Sequence, residues 1–139
     1  MFFHIEGFFF KAIFVANYCM LPAQSFKDLI VWQKSHKYVL EVYDYTSKFP
    51  KHELFSLTNQ FRRAAVSIAA NIAEGFRKKS IREKIRFFNI SQGSLEECRY
   101  FEILSQDLKY GDARHLTDIL EATSRLLNSY QRSLMNHEN

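Results

Sequence analysis

Apolar residues recur at steps of three and four positions along this chain from Ser25 to Leu134. That spacing places them on one face of an α-helix, whereas a half-buried strand would alternate apolar and polar residues. Only four Gly and two Pro occur among the 139 residues, so little interrupts the pattern. The sequence therefore predicts an all-α fold of long helices, with a length that suits one domain.

Capping residues and helix stops divide the first half of the pattern into two helices. The first is expected over 26–48, between a cap at Ser25 and a stop at Pro50. The second begins near His52 and ends before Gly75, because glycine suits the left-handed position that follows a helix.

Similar signals delimit two more helices. Ser80 and Glu83 have the spacing of a capping box and open the third, which Gly111 ends. Asp112 is expected to cap the fourth. Four amphipathic helices with short connections favour an up-down-up-down antiparallel four-helix bundle over 25–135.

The spacing also predicts which residues are buried. The expected buried residues of the first helix are Leu29, Trp32, His36, Val39 or Leu40, and Tyr43. Those of the third are Phe87, Ile90, Ser94, Cys98, Phe101, Leu104 and Leu108.

A second, more polar stripe runs beside the apolar stripe of the second helix. Polar side chains there need partners if they are buried. The sequence predicts a structural polar network between the second and third helices, consisting of Arg63, Ser67, Asn71, Glu74, Ser94 and Glu97. Whether this stripe faces the bundle interior or a neighbouring subunit stays open.

Residues 1–24 are rich in Phe and show no clear period. Glu6 and Lys11 interrupt the apolar run, which argues against a signal peptide or a membrane span. The segment is interpreted as an extension outside the bundle, with Met20 as an alternative start; a targeting or anchoring role is the other interpretation. Residues 136–139 are expected to fray.

The two cysteines, Cys19 and Cys98, are far apart in the sequence. This usage suits free thiols in a reducing compartment, so we expect the protein in the cytoplasm without a membrane partner.

Catalytic and metal-binding patterns are missing from the sequence. No H-E-x-x-H or E-x-x-H spacing occurs, and the five histidines are scattered. Glu74 and Glu97 can be interpreted as an acid/base pair, but a place in the polar network fits them better. We therefore expect no enzyme activity, no cofactor and no metal site.

Positive charge is concentrated in one part of the chain. Residues 62–86 contain eight basic and two acidic residues, a net charge of +6, whereas the whole chain carries +4. Cations after a helix C-terminus also complement the helix dipole, which is the simpler interpretation. The residues expected to contact phosphates are Arg77, Lys78, Lys79, Arg82, Lys84 and Arg86.

Four motifs in order resemble one protein family. They are F-K-D-L-I-V-W-Q-K from Phe26, F-P at Phe49, Q-F-R-R-A-A-V-S-I-A-A-N-I-A-E-G from Gln60 and G-S-L-E-E from Gly93. The chain resembles the four helix bundle protein family, also called the 23S rRNA intervening-sequence protein family. This resemblance implies a bacterial four-helix bundle that assembles into a ring, typically a homopentamer. A related branch, the accessory variability determinant proteins of diversity-generating retroelements, forms basic pentamers that bind nucleic acid and a reverse transcriptase.

Charge and resemblance together favour sequence-independent binding of RNA or DNA by a homo-oligomer. If five copies place their basic segments on one rim, the charges add into a surface that attracts phosphate backbones. The alternative is a protein–protein adaptor or assembly module without nucleic-acid binding.

Overall fold

The structure, a computed structural model, describes residues 22–137. Most of the expected N-terminal extension and the last two residues of the expected frayed tail lie outside this range. The described chain contains no strand and has four α-helices: α1 (Ile30–Ser47), α2 (Leu57–Arg77), α3 (Ile81–Asp107) and α4 (Arg114–Asn136). The predicted all-α fold is confirmed.

Each helix packs against the helix before and after it, and α1 also packs against α4. Contacts between α2 and α3 run in opposite directions along the two helices. They pair Gly75 with Phe88, Ile68 with Ser91, and Phe61 with Phe101. The largest fully buried side chains come from all four helices and include Tyr38, Phe61, Ile68, Ile72, Phe88, Leu95, Leu120 and Leu127. One core therefore lies between the four helices.

Two short 3-10 helices precede α1 and α2. Ser25 and Asp28 form a capping box on the first, Phe26–Asp28, so the predicted cap lies just ahead of α1. The second, Lys51–Glu53, delays the start of α2 to Leu57, a few residues later than the sequence predicted.

The prediction that Gly75 ends the second helix is wrong. Gly75 lies inside α2 and is buried, and no glycine within residues 22–137 has positive φ. A Cβ at Gly75 would lie 2.7 Å from Phe88 Cε1 and 3.0 Å from Phe87 Cβ. The glycine is therefore needed for the close approach of α2 and α3.

The end of α3 also differs from the prediction. The helix stops at Asp107, before the expected stop at Gly111, and the left-handed residue is Lys109, with a φ of 62°. Asp112 accepts a hydrogen bond from the backbone N–H of Arg114 at 3.0 Å, one residue ahead of the N-cap position of α4.

Two helices are rotated relative to the predicted buried faces. The buried residues of α1 are Val31, Ser35, Tyr38, Val42 and Thr46, whereas His36, Leu40 and Tyr43 are exposed. The buried residues of α3 are Phe88, Ser91, Ser94, Leu95, Cys98, Phe101, Glu102 and Ser105, whereas Ile90 and Leu108 are exposed. The small polar residues Ser35, Thr46, Ser91 and Ser105 are buried, although the prediction did not include them.

Glu102 is the most polar residue of this core, with 2% of its surface exposed. Its carboxylate accepts hydrogen bonds from the Tyr38 hydroxyl at 2.6 Å and the Thr117 hydroxyl at 2.7 Å. Burial raises the pKa of Glu102, while the two donated hydrogen bonds act in the opposite direction. No buried side-chain nitrogen or oxygen within residues 22–137 lacks a partner.

Among the helices of the described chain, none combines the length and the apolar character that crossing a membrane requires.

Candidate nucleic-acid interface

The connection between α2 and α3 is short and well fixed. Only Lys78, Lys79 and Ser80 separate the two helices. The Ser80 hydroxyl accepts a hydrogen bond from the backbone N–H of Glu83 at 3.2 Å, which satisfies one free donor at the start of α3. We call this connection and its flanking cations the basic turn, made of Arg77, Lys78, Lys79, Arg82, Lys84 and Arg86.

Lys84 is directed at the end of α2 and not at solvent. Its ammonium group donates hydrogen bonds to the carbonyl oxygen of Phe76 and, at 3.4 Å, to that of Gly75. It also lies 5.3 Å from the centroid of the Phe76 ring. Burial lowers the pKa of Lys84. A cation at this place complements the unpaired carbonyls and the dipole of α2.

Lys78 also contacts neighbouring side chains. Its Nζ lies 3.8 Å from Glu74 Oε1 and 4.7 Å from the centroid of the Phe87 ring, and one third of its side chain is exposed. Part of its charge is therefore offset within the chain.

The other four cations of the basic turn face solvent. Arg77, Lys79, Arg82 and Arg86 are exposed, and none of their side chains forms a hydrogen bond or ion pair with another residue of the described chain. Glu83 is the one acidic residue in the segment 77–86. Within ten residues the turn thus presents four exposed positive charges without a contacting partner, against the single negative charge of Glu83.

The residues of the predicted polar network divide into two groups. The Ser94 hydroxyl donates to the Ser67 hydroxyl at 2.8 Å, and the Asn71 amide donates to the backbone oxygen of Ser67 at 2.8 Å and to its hydroxyl at 3.0 Å. These three residues join α2 to α3. Arg63, Glu74 and Glu97 are exposed and lie outside this cluster.

A groove on the outer side of α2 was not anticipated from the sequence. It has a volume of about 730 Å³, and its lining includes Tyr43, Leu54, Phe55, Arg62, Arg63 and Val66. We call it the Phe55 groove. One signal in the sequence was the pair Leu54 and Phe55, two adjacent large apolar residues, which the structure places just ahead of α2.

Arg62 forms one wall of the groove. Its Nε donates to the Thr46 hydroxyl at 2.8 Å, and its guanidinium carbon lies 4.6 Å from the centroid of the Tyr43 ring. These contacts hold the cation against α1.

No group of three or more His, Cys, Asp or Glu side chains within residues 22–137 is arranged to hold a metal ion.

The geometry defines an all-α, four-helix protein with an exposed cationic turn between its second and third helices. Residues 27–131 match the family model described as 23S rRNA-intervening sequence protein, and the chain belongs to that family. The resemblance to this family that was inferred from the four motifs is thereby confirmed. A comparison with curated proteins finds no match.

Proposed function

We propose that this protein is a non-enzymatic accessory protein that binds RNA or DNA without regard to sequence, and that it acts in the cytoplasm as a homo-oligomeric ring. The observation that carries the proposal is the set of four exposed cations on the basic turn, Arg77, Lys79, Arg82 and Arg86. Each can displace a counterion from a phosphate backbone, which is the main source of affinity in sequence-independent binding.

Assembly increases the effect of these charges. In an up-down-up-down bundle the α2–α3 connection lies at one end of the molecule. Copies related by a ring axis then bring their basic turns to one rim, and five copies present about twenty exposed cations to the same ligand. The homopentamer is the state that the family resemblance implies.

Exposed charge of this kind predicts that the affinity for nucleic acid depends steeply on the salt concentration. We expect the protein to bind both single-stranded RNA and duplex DNA in a fluorescence-anisotropy titration. Because four phosphate contacts from even one copy give a slope of about −3.6 on duplex DNA, affinity should fall about a hundredfold or more between about 50 and about 200 mM salt.

A charge-reversal variant tests the turn itself. Lys79→Glu with Arg82→Glu reverses two exposed cations and should abolish binding at the higher salt concentration. The matched control is Lys34→Glu with Lys37→Glu on α1, which has the same charge change and the same spacing at exposed sites. Equal losses in the two variants, or no binding of the unaltered protein at low salt, would contradict the proposal.

A protein–protein adaptor is the second candidate, and the Phe55 groove is the observation that favours it. Phe55 is 90% exposed, and large exposed apolar side chains grouped in a groove are typical of an interaction site. A complex with another cellular protein that survives nuclease treatment would support the adaptor and count against nucleic acid as the ligand.

A further inference from the structure

Building on the self-association proposed above, we propose that the Phe55 groove of one copy receives the outer face of α3 from a second copy. The two copies would then associate head to tail through two different surfaces. The geometry points to a second copy because this one chain carries two exposed apolar surfaces of opposite charge.

The first surface, the Phe55 groove, is apolar and positively charged. Phe55 projects into solvent, and Tyr43, Leu54 and Val66 each expose 41–50% of their surface. Arg62 and Arg63 supply the charge, and no acidic residue lines the groove. The Arg63 side chain forms no hydrogen bond or ion pair with any residue of the described chain, so its guanidinium group is free to meet a partner.

The second surface lies on α3, and we call it the Gly93 face. It consists of Ile90, Gly93, Glu97 and Tyr100, which are all exposed and follow one another at steps of three, four and three residues. This spacing places them along one side of the helix. Ile90 and Tyr100 expose 44% and 58% of their surface. Glu97 supplies a negative charge and has no hydrogen-bond or ion-pair partner between residues 22 and 137.

Gly93 itself has no explanation within a single copy. A Cβ added there would meet nothing within 4 Å, in contrast to the crowded site at Gly75. Glycine in the middle of a helix is unfavourable, and here no contact of the chain requires it. Between Ile90 and Tyr100 it leaves a notch on the helix surface. A projecting side chain from another copy, such as Phe55, suits a notch of this kind.

The charges decide how the surfaces pair. If the grooves of two copies met, Arg63 would lie close to Arg63 of the other copy. If the Gly93 faces of two copies met, Glu97 would lie close to Glu97 of the other copy, so like charges would repel in both cases. Groove against Gly93 face brings opposite charges together and covers both apolar surfaces at once. An interface between two different surfaces is heterologous, and repeating it produces a ring when the rotation closes.

Mixing two assembly-deficient variants tests this arrangement directly. The groove variant carries Phe55→Ser and Arg63→Glu and keeps its Gly93 face. The face variant carries Gly93→Leu and Glu97→Arg and keeps its groove. We expect the concentration for half-assembly of each variant to be raised about tenfold or more. At concentrations where the unaltered protein assembles, each variant alone should therefore be a monomer by light scattering. An equimolar mixture should form a one-to-one complex with twice the 16.5 kDa mass of a single chain.

The altered positions are exposed, so both variants should keep the helical circular dichroism of the unaltered protein. Ser129→Leu adds an apolar side chain at an exposed site on α4 and serves as the control that leaves assembly unchanged. A single chain with Arg63→Glu and Glu97→Arg together should assemble better than either single reversal, because the opposite charges are restored.

The outcomes separate this interface from the proposed function. If the unaltered protein assembles and both variants assemble equally well, or if the mixture stays monomeric, the interface is wrong while self-association survives. If the unaltered protein is a monomer, self-association fails too, although the salt titration can still support nucleic-acid binding. A groove variant that assembles normally yet loses oligonucleotide binding would assign the groove to nucleic acid and overturn the interface.

Discussion

Glu102 places a carboxylate in the middle of the bundle, where the hydroxyl groups of Tyr38 and Thr117 donate to it. Two hydroxyl donors compensate part of the lost hydration, but the charged form still lacks a direct cationic partner within the described chain. Burial therefore raises the pKa of Glu102 in the folded protein. Folding favours the protonated side chain at this position.

Replacement of Glu102 by a neutral isostere should reveal its raised pKa through the pH dependence of the free energy of unfolding. Glu102 stabilises the fold most below its ordinary pKa of 4.5, and this contribution is lost as the pH rises through the raised value. Glu102→Gln is neutral throughout, so its free energy of unfolding relative to the unaltered protein should rise across that window. The slope should not exceed about 1.4 kcal/mol per pH unit. Urea unfolding at several pH values measures it.

Glu121→Gln is the matched control because the pKa of Glu121 is shifted in the opposite direction. The hydrogen bond from Arg99 lowers the pKa of Glu121, so Glu121 stabilises the fold above its ordinary pKa and less as the pH falls. The Gln variant should therefore lose stability relative to the unaltered protein as the pH rises. A Glu102→Gln difference that stays flat or falls with pH would contradict the account of Glu102.

The sequence alone does not predict that Glu102 is buried. Glu102 follows Phe101 in a helix whose apolar stripe was assigned from large apolar side chains, and its partner Tyr38 is 64 residues away. A surface carboxylate and a buried one look the same in a helical pattern. Only the packing of α1 and α4 against α3 brings the two hydroxyl donors to it.

At the scale of the element, the spacing of apolar residues predicts how many helices form, but it does not fix which face of each helix is buried. Ser35, Ser91 and Ser105 are buried, so the apolar contrast between the two sides of α1 and α3 is weak. The Ser91 hydroxyl donates to the backbone oxygen of Ile68 at 3.0 Å, which explains how such a residue is tolerated in the core. The spacing predicted Ile90 to be buried, yet it belongs to the exposed Gly93 face.

Two glycine-to-alanine variants distinguish close packing from open surface. Gly75→Ala should destabilise the fold by about 1–3 kcal/mol, because the added methyl group lies too close to Phe88. Gly93→Ala should leave stability unchanged or raise it by up to about 1 kcal/mol, since alanine is the better helix former. Both are compared by urea unfolding in the background of the groove variant, where assembly does not contribute. Similar effects at the two sites would contradict the packing assigned to Gly75.

At the scale of the whole molecule, the basic turn and the proposed interface occupy different residues. The four exposed cations lie within 77–86, whereas the Gly93 face begins at Ile90 and the groove charges are Arg62 and Arg63. The proposed phosphate binding and the proposed assembly can therefore be tested by separate substitutions. The sequence indicated where the charge lies, but which cations are already engaged, as Lys84 is, depends on how α2 ends.

This separation predicts a change in salt dependence when assembly is lost. The face variant keeps all four exposed cations and gains a fifth at position 97, so it should still bind duplex DNA, with a slope of log affinity against log salt no steeper than about −4.5. The assembled protein should show a steeper slope, because several copies contact the same ligand. Equal slopes for the two proteins, measured by anisotropy on the same duplex, would indicate that only one copy binds at a time.

The position of Lys84 has a consequence for the entropy of binding. Its ammonium group ties the last carbonyls of α2 to the first turns of α3, across a connection of only three residues. The backbone that bears the four exposed cations is therefore already ordered before any ligand arrives. Contact with phosphate costs only side-chain freedom, since no loop has to become ordered on binding.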